Sequence, residues 1–513
     1  MAGPNVPDTP NAHFLEAVNR FRESIAQHLP PQQWLEGDSV GEEYSQDPTE
    51  EPPRNPSMVV WPLSTEEVSA VVQAANAHGV SLTVRVAGTN IAGLAIPPEG
   101  GVVVDLSRMN RILEIQDTEM YAVVEPGVSW EQLKERLDGG ETPLRVGYPL
   151  SPPESSVMAN CLLDGLGSLS LPHGSMGEWI GGLEVVLPQG AVARIGAPAL
   201  SDVWFGRSPL PGLTDLFVNW QSTTGIVTKM AIQLWPKPPL SRRMFVLCYD
   251  RNGAYAAMRE LAKLGIADDI GTLSWTTGKL LYGMERPLVR GEDDPEVFLY
   301  IELTAQDSRE MDLKTELFSA VLSRLSLQGF QHEDPFDLDT LVGLNPEFEA
   351  LAEFPTRLDF LLNHPGGGLS WVGTYGPMSR FEAFADRALA LMERYTIPPT
   401  VVSRPMKGGH YGVLRFISVF NRDDPEERSK VREMNRLIAK AGYELGFIVY
   451  KAPPWAVQEG KPYLDPGFMA LADTIRRTLD PNGVMAPHCW NLEVTAAAPS
   501  APPEETTTTE EGD

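Results

Sequence analysis

The sequence is poor in cysteine and in basic residues. Its 513 residues hold three cysteines, Cys161, Cys248 and Cys489, an odd set with neither a disulfide framework nor a paired CxxC metal spacing. Lysine and arginine number 41 against 69 aspartates and glutamates, a formal net charge of −28. That balance argues against nucleic-acid phosphates and anionic lipid as partners; it suits simple solubility or a basic protein partner. No apolar run reaches the roughly 20 residues that a membrane helix needs. The opening MAGPNVPDTPNAHFLEAVNRF lacks a basic stretch followed by an apolar one, so no secretory leader is expected and the cytoplasm is the expected compartment. No internal repeat is visible.

What is present is an alternation of strand and helix patterns at a length that predicts two domains with tails. Residues 1–50 read as a helical segment, HFLEAVNRFRESIAQHL, and a polar connection. In STEEVSAVVQAANAHG, Ser64 with Glu67 predicts a capping box, Val68, Val71, Val72 and Ala75 one buried face, and Gly79 the stop. Strand patterns follow in SLTVRV, GVVVDL and MYAVVEPG, then a hairpin around Gln189-Gly190 and the strand GIVTKMAIQLWP. From about Leu240 the pattern changes to strands (RRMFVLCYD, VFLYIELTA, RFISVFN, GFIVYKA) between helices. One of these, DDPEERSKVREMNRLIAKAG, has Pro425 in its first turn and Gly442 at its expected end. LADTIRRTLDPNGVMAPHCWNL predicts a helix and turn that return to the first domain. The residues 494–513, acidic and nearly free of bulky apolar side chains, read as a disordered tail.

Between two β-branched runs lies VRVAGTNIAG, residues 84–93. Gly88 and Gly93 permit the positive φ angles and close approach by which successive backbone N–H groups converge on an anion, a pyrophosphate being the common guest. With no lysine beside it, a triphosphate grip is not expected. A tight loop without ligand stays open as the alternative.

The run VRVAGTNIAGLAIPPEGGVVVDLSRMNRILEI, followed by YAVVEPGVSWEQL, resembles the pyrophosphate loop of flavoproteins typified by vanillyl-alcohol oxidase and 4-cresol methylhydroxylase. The resemblance continues in LPHGSMGEWIGGLEVVLPQGAVARIG, DLFVNWQSTTGIVTKMAIQLWPKPP, FISVFNRDDPEE and LDPNGVMAP, in the family's order, over roughly residues 55–492. It implies an α+β chain: a two-lobed FAD-binding domain of the PCMH type at 51–240, an α+β cap or substrate domain at 241–470, and a discontinuous segment, 471–493, returning to the FAD domain. It implies that Val86, Ala87, Gly88, Thr89, Asn90, Ile91, Ala92 and Gly93 cradle the FAD pyrophosphate. Pro149, Ser151, Asn160, Gly167, Pro172 and Gly174 would line ribityl and ring, and Gly225, Ile226 and Val227 would meet the flank through main-chain groups. His364, in LLNHPGGGLSWVG, stands where some members attach flavin covalently, although an ungapped comparison lands on Leu361. Both attachment and its absence stay open. Cys161 reads as a small core residue.

The activity implied is hydride removal from a para-substituted phenol or aryl alcohol to flavin N5, with O2 or a c-type cytochrome as acceptor, commonly in a homo-oligomer. Asp164 falls close to the family's aspartate, as base or charge partner. The phenolate clamp of tyrosines and arginine departs from the pattern: Gly93 replaces one tyrosine, and Gly446-Phe447 occupies the ungapped Tyr-Arg position. Shifting the register offers Tyr450 and Lys451 as hydroxyl and cation. His410 and Tyr411 are further candidates for the cap side of the pocket. A hydroxy acid as substrate, or a catalytically inert flavin-binding relative, are the alternatives; no arginine cluster for a carboxylate is evident in the sequence.

Overall fold

The structure, a computed structural model, describes residues 12–140, 142–281, 288–344, 355, 364 and 366–492. The tail expected at 494–513 lies outside them, as does Leu361.

Two main sheets make the N-terminal half, beside a two-stranded ladder of Leu144–Arg145 with Trp235–Pro236. In the first, Leu82–Arg85 and Met58–Val60 run parallel to Val102–Asp105 on either side of it, and Trp34–Glu36 adds antiparallel to Met58–Val60. The polar connection read from residues 30–50 thus contributes a strand. Every residue of Val102–Asp105 is buried, which fits a strand covered on both faces. The helix Thr65–His78 covers this sheet with Val68, Val71, Val72 and Ala75, as the periodicity predicts, and stops at Gly79 with φ 68°. Only half of its capping box forms. Ser64 accepts from the Glu67 N–H, but Glu67 Oε2 turns to the Leu63 N–H at 2.8 Å and to Gln33. The second sheet is antiparallel, in the order Ile112–Gln116, Tyr121–Val124, Ile226–Gln233, Ile180–Val186, Val192–Gly196, the last two being the predicted hairpin.

Eight antiparallel strands form the third sheet, and the helices Arg251–Leu264, Ser308–Ser326, Phe381–Arg394 and Pro425–Glu444 pack on it around a single apolar core. The last of these runs past Gly442. A Cβ there would come within 2.9 Å of the Phe384 ring, so this glycine permits close packing rather than stopping the helix. GFIVYKA keeps only Ile448–Val449 as strand, bracketed by positive φ at Gly446 and Lys451.

The C-terminal segment returns as expected. Met485 pairs in parallel with Leu82, and the Leu82 N–H donates to the Val484 carbonyl at 2.8 Å. Among the described residues no helix is long and apolar enough to cross a membrane.

Candidate active site

A cleft opens between the first two sheets. Its lining gathers Val86, Ala87, Gly88, Thr89, Asn90, Ser151, Asn160, Gly225, Ile226 and Val227, with Arg85, Gln221 and Lys451. Gly88 has φ 70°, and a Cβ on it would meet Arg85 Nη2 at 2.2 Å. Only glycine lets the guanidinium approach the loop. Among the described residues, no hydrogen bond engages the N–H groups of Gly88, Thr89 or Asn90, so three successive donors line the cleft. Such a nest, beside a cation, fits a pyrophosphate. Arg85 is held over the Tyr44 ring and against buried Asp105 at 3.2 Å; sequence reading missed it.

The other half of the bend is committed elsewhere. Ala92 N–H donates to Asn90 Oδ1 at 2.8 Å, Gly93 N–H to Asp47 Oδ2 at 2.9 Å, and Ile91 packs with Leu369 and Val419 of the third sheet. Pro149, Gly167, Pro172 and Gly174 lie outside the cleft lining. Pro172 is exposed on the turn Ser170–His173, Gly167 offers its carbonyl to Arg404 at 2.8 Å, and a Cβ on Gly174 would strike Glu178. His364 also stands outside the lining, with Nε2 3.1 Å from the Gly368 carbonyl oxygen. Cys161 is fully buried and burial pushes its thiol up.

Asp164 has φ 50°; its carboxylate accepts the Gly177 N–H at 3.1 Å and its main-chain oxygen accepts the Tyr375 hydroxyl at 2.5 Å. Burial raises its pKa against hydrogen bonds from Ser175, Gly177 and Asn219. His410 is exposed, at the C-cap of the turn before the strand Tyr411–Phe420, and does not line the cleft. Tyr411 stays, its ring 5.6 Å from that of Tyr375.

Of the residues on the third-sheet side only Lys451 lines the cleft, and next to it in the chain Tyr450 belongs to a cluster of aromatic rings and cations. Phe447 packs with Phe384 at 4.6 Å in the apolar core, so the ungapped position of the clamp is a core position. Three residues on, Tyr450 stacks on Tyr375 at 4.4 Å and accepts the Arg415 Nε–H at 2.6 Å. Arg415 is 9% exposed, lies 4.8 Å from the Trp371 ring centre, and makes no ion pair among the described residues. A buried cation without a carboxylate is costly unless an anion joins it. Burial pushes the Tyr450 hydroxyl up to about 12, against the Arg415 charge. That hydroxyl keeps its proton, polarised by Arg415 and free to donate. Lys451, with φ 48°, donates to Asn160 Oδ1 at 3.1 Å; burial first, then Arg415, bring it down to about 7. Arg404, buried against Asp269, ties the third sheet to Gly167. Sequence reading missed both arginines, and since Arg404 is paired with Asp269 they do not make a cluster for a carboxylate. The signal was there: VLRFISVF and VVSRPM each set one arginine in an otherwise buried strand.

Residues 56–196 match a family model described as FAD binding domain. The chain is 31% identical over 241 residues to an uncharacterized FAD-linked oxidoreductase of Mycobacterium tuberculosis, covering 46% of this chain and 50% of that one. It is 31% identical over 243 residues to a glycolate oxidase subunit of Bacillus subtilis, 47% and 50% of the two chains. To the 4-cresol dehydrogenase (hydroxylating) flavoprotein subunit of Pseudomonas putida it is 30% identical over 229 residues, 44% and 43%. In these alignments the chain spans about half the length of the curated relatives. A crystal structure of p-cresol methylhydroxylase with substrate bound superposes with a TM-score of 0.82 at 22% identity, covering 94% of this chain and 98% of that one. Residues 56–196 are accordingly an FAD-binding domain, set in a chain with the α+β fold of the PCMH type.

Proposed function

We propose that the chain is an FAD-dependent oxidoreductase that removes a hydride from the benzylic carbon of a para-substituted phenol or aryl alcohol. The observation that carries this reading is Arg415, buried with no carboxylate partner among the described residues and hydrogen-bonded to the Tyr450 hydroxyl at 2.6 Å. A phenolate oxygen taken up by the Tyr450 O–H, with Arg415 behind it, supplies the missing anion. Holding that charge makes the benzylic carbon a better hydride donor. Lys451, at about 7, is a neutral amine above neutrality and takes the phenolic proton. Asp164 is a positioning residue here, since its main-chain oxygen holds Tyr375 against Tyr450. Bound FAD supplies the hydride acceptor, gripped by the N–H groups of Gly88, Thr89 and Asn90 beside Arg85.

The same proposal divides the chain at about 51–240, 241–470 and 471–493, with homo-oligomerisation, O2 or a c-type cytochrome as acceptor, and a cytoplasmic location. Attachment of FAD is read as non-covalent, since His364 stands outside the cleft lining; acid precipitation of the yellow protein then releases all colour. A hydroxy acid is the second reading, because Arg415 and Lys451 also suit a carboxylate and the Bacillus subtilis relative is a glycolate oxidase subunit. Tyr450→Phe separates the two. Loss of flavin reduction by phenols, with FAD content unchanged, supports the phenol; reduction by glycolate or lactate and by no phenol overturns it.

A further inference from the structure

Where the segment 45–54 crosses the third sheet, three buried oxygens have no hydrogen-bond partner among the described residues: Glu50 Oε2, Asn435 Oδ1 and Ser418 Oγ. Their side chains are neighbours. Asn435, on the helix Pro425–Glu444, donates through Nδ2 to Glu50 Oε1 and to Ser370 Oγ, each at 3.0 Å. Ser418 stands directly opposite Ser370 in the pairing of Gly368–Gly376 with Tyr411–Phe420, which sets both side chains on one face of the sheet. Glu50 is 1% exposed, Ser370 3%, and Asn435 and Ser418 0%.

A carboxylate so placed needs a counter-charge, and Glu50 makes no ion pair among the described residues. The arginines around it are turned to other atoms. Arg432 donates to the Glu50 main-chain oxygen at 2.6 Å, Arg422 to that of Asp47 at 2.7 Å, and Arg54 lies 3.8 Å from Glu51. Negative charge accumulates along the segment: burial first, then the Glu50 charge, raises the pKa of Glu51, and burial, with a smaller push from Glu50, raises that of Asp47.

We propose that Glu50 Oε2, Asn435 Oδ1 and Ser418 Oγ hold a monovalent cation of the sodium or potassium class, which pins the segment 45–54 to the third sheet and, through it, steadies the cofactor bend. The donors fit that class. They are all oxygen, without the nitrogen and sulfur that zinc takes, and a single carboxylate balances a single charge, whereas calcium sites gather several. Among the described residues no group of three His, Cys, Asp or Glu could hold a metal, so the set differs in kind from those of zinc and calcium. The link to the cofactor is short: Asp47, in the same segment, accepts the Gly93 N–H at the end of the bend at 2.9 Å.

The test unfolds the FAD-loaded full chain thermally at fixed ionic strength, with sodium or potassium chloride replacing tetramethylammonium chloride, whose cation is too large for the site. The melting temperature should rise saturably with one of the small ions; at ten times its dissociation constant the ratio of folded to unfolded chain gains about elevenfold. Glu50→Gln, which keeps the shape and removes the charge, should lose the response, and Ser418→Ala, which removes one donor, should weaken it. Crystals of the unaltered protein soaked in rubidium chloride should show an anomalous peak between Glu50, Asn435 and Ser418, a readout that stands even where a variant fails to fold. Equal melting in all three salts, a response that Glu50→Gln retains, a response to calcium alone, or a rubidium soak without a peak there overturns the proposal; a water molecule or a proton on Glu50 in the ion's place gives the first and last of these. No substrate enters the measurement, so its outcome is separate from that of the phenol reading.

Discussion

At the scale of single residues, Gly88 and Tyr450 carry the account. Gly88 stands at φ 70° with Arg85 where its Cβ would be. A side chain there costs about 1–2 kcal/mol in backbone strain before any clash. Gly88→Ala should therefore weaken FAD binding tenfold or more, as measured by quenching of flavin fluorescence on titration into apoprotein. Tyr450→Phe removes a hydrogen bond to a charged group, about 1.5–3 kcal/mol, and should slow flavin reduction by phenols about 10- to 100-fold without releasing FAD. Lys451 sets a pH dependence. Its value of about 7 lies below that of a free lysine, so below neutrality the neutral, proton-accepting form declines about tenfold per pH unit. Flavin reduction by phenols should rise with pH up to about 7 and level off, and Lys451→Met should flatten the profile. Gly88 and Asn90 were legible because the chemistry of a strand-bend-strand is local. Arg415 was not, because its meaning comes from Tyr450, 35 residues away.

At the scale of elements, pairing of strands assembles what the sequence keeps apart. Gly368–Gly376 pairs with both Tyr411–Phe420 and Ile448–Val449, bringing Trp371, Tyr375, Arg415 and Tyr450 together. The helices were readable from periodicity and caps, yet two signals misled: Gly442 sits inside its helix because Phe384 demands the space, and Glu67 leaves its box for Leu63 and Gln33. The strand Val402–Met406 carries Arg404 to Asp269 and Gly167, each charged partner 6% exposed. Removing one member of a buried pair leaves the other uncompensated. Asp269→Ala should cost about 3–5 kcal/mol in urea unfolding, and the freed Gly167 segment should show in altered near-ultraviolet dichroism.

At the scale of the molecule, the return of the C-terminal segment closes the cofactor lobe. Val484 and Met485 are 2% and 0% exposed in the same core as Leu82 and Val102, and each buried side chain contributes about 1.5–3 kcal/mol. Truncation after Leu479 should lower the melting temperature and weaken FAD retention together. This long-range closure was legible in LADTIRRTLDPNGVMAPHCWNL, which predicted a helix and turn returning to the first domain, and the family resemblance implied the same. The polar connection before residue 51 hid a different role: Asp47 and Thr49 pack beneath the bend, and Arg422 holds the Asp47 carbonyl at 2.7 Å. Burial of so polar a strap depends on partners hundreds of residues away. The central claim is that one cleft grips FAD while Tyr450 and Arg415 hold a phenolate at its end. Anaerobic titration of the FAD-loaded protein with 4-methylphenol, followed by flavin absorbance, tests it most directly. The account predicts stoichiometric bleaching that Tyr450→Phe suppresses; a colourless protein that takes up no FAD, or a loaded flavin that no phenol bleaches, contradicts it.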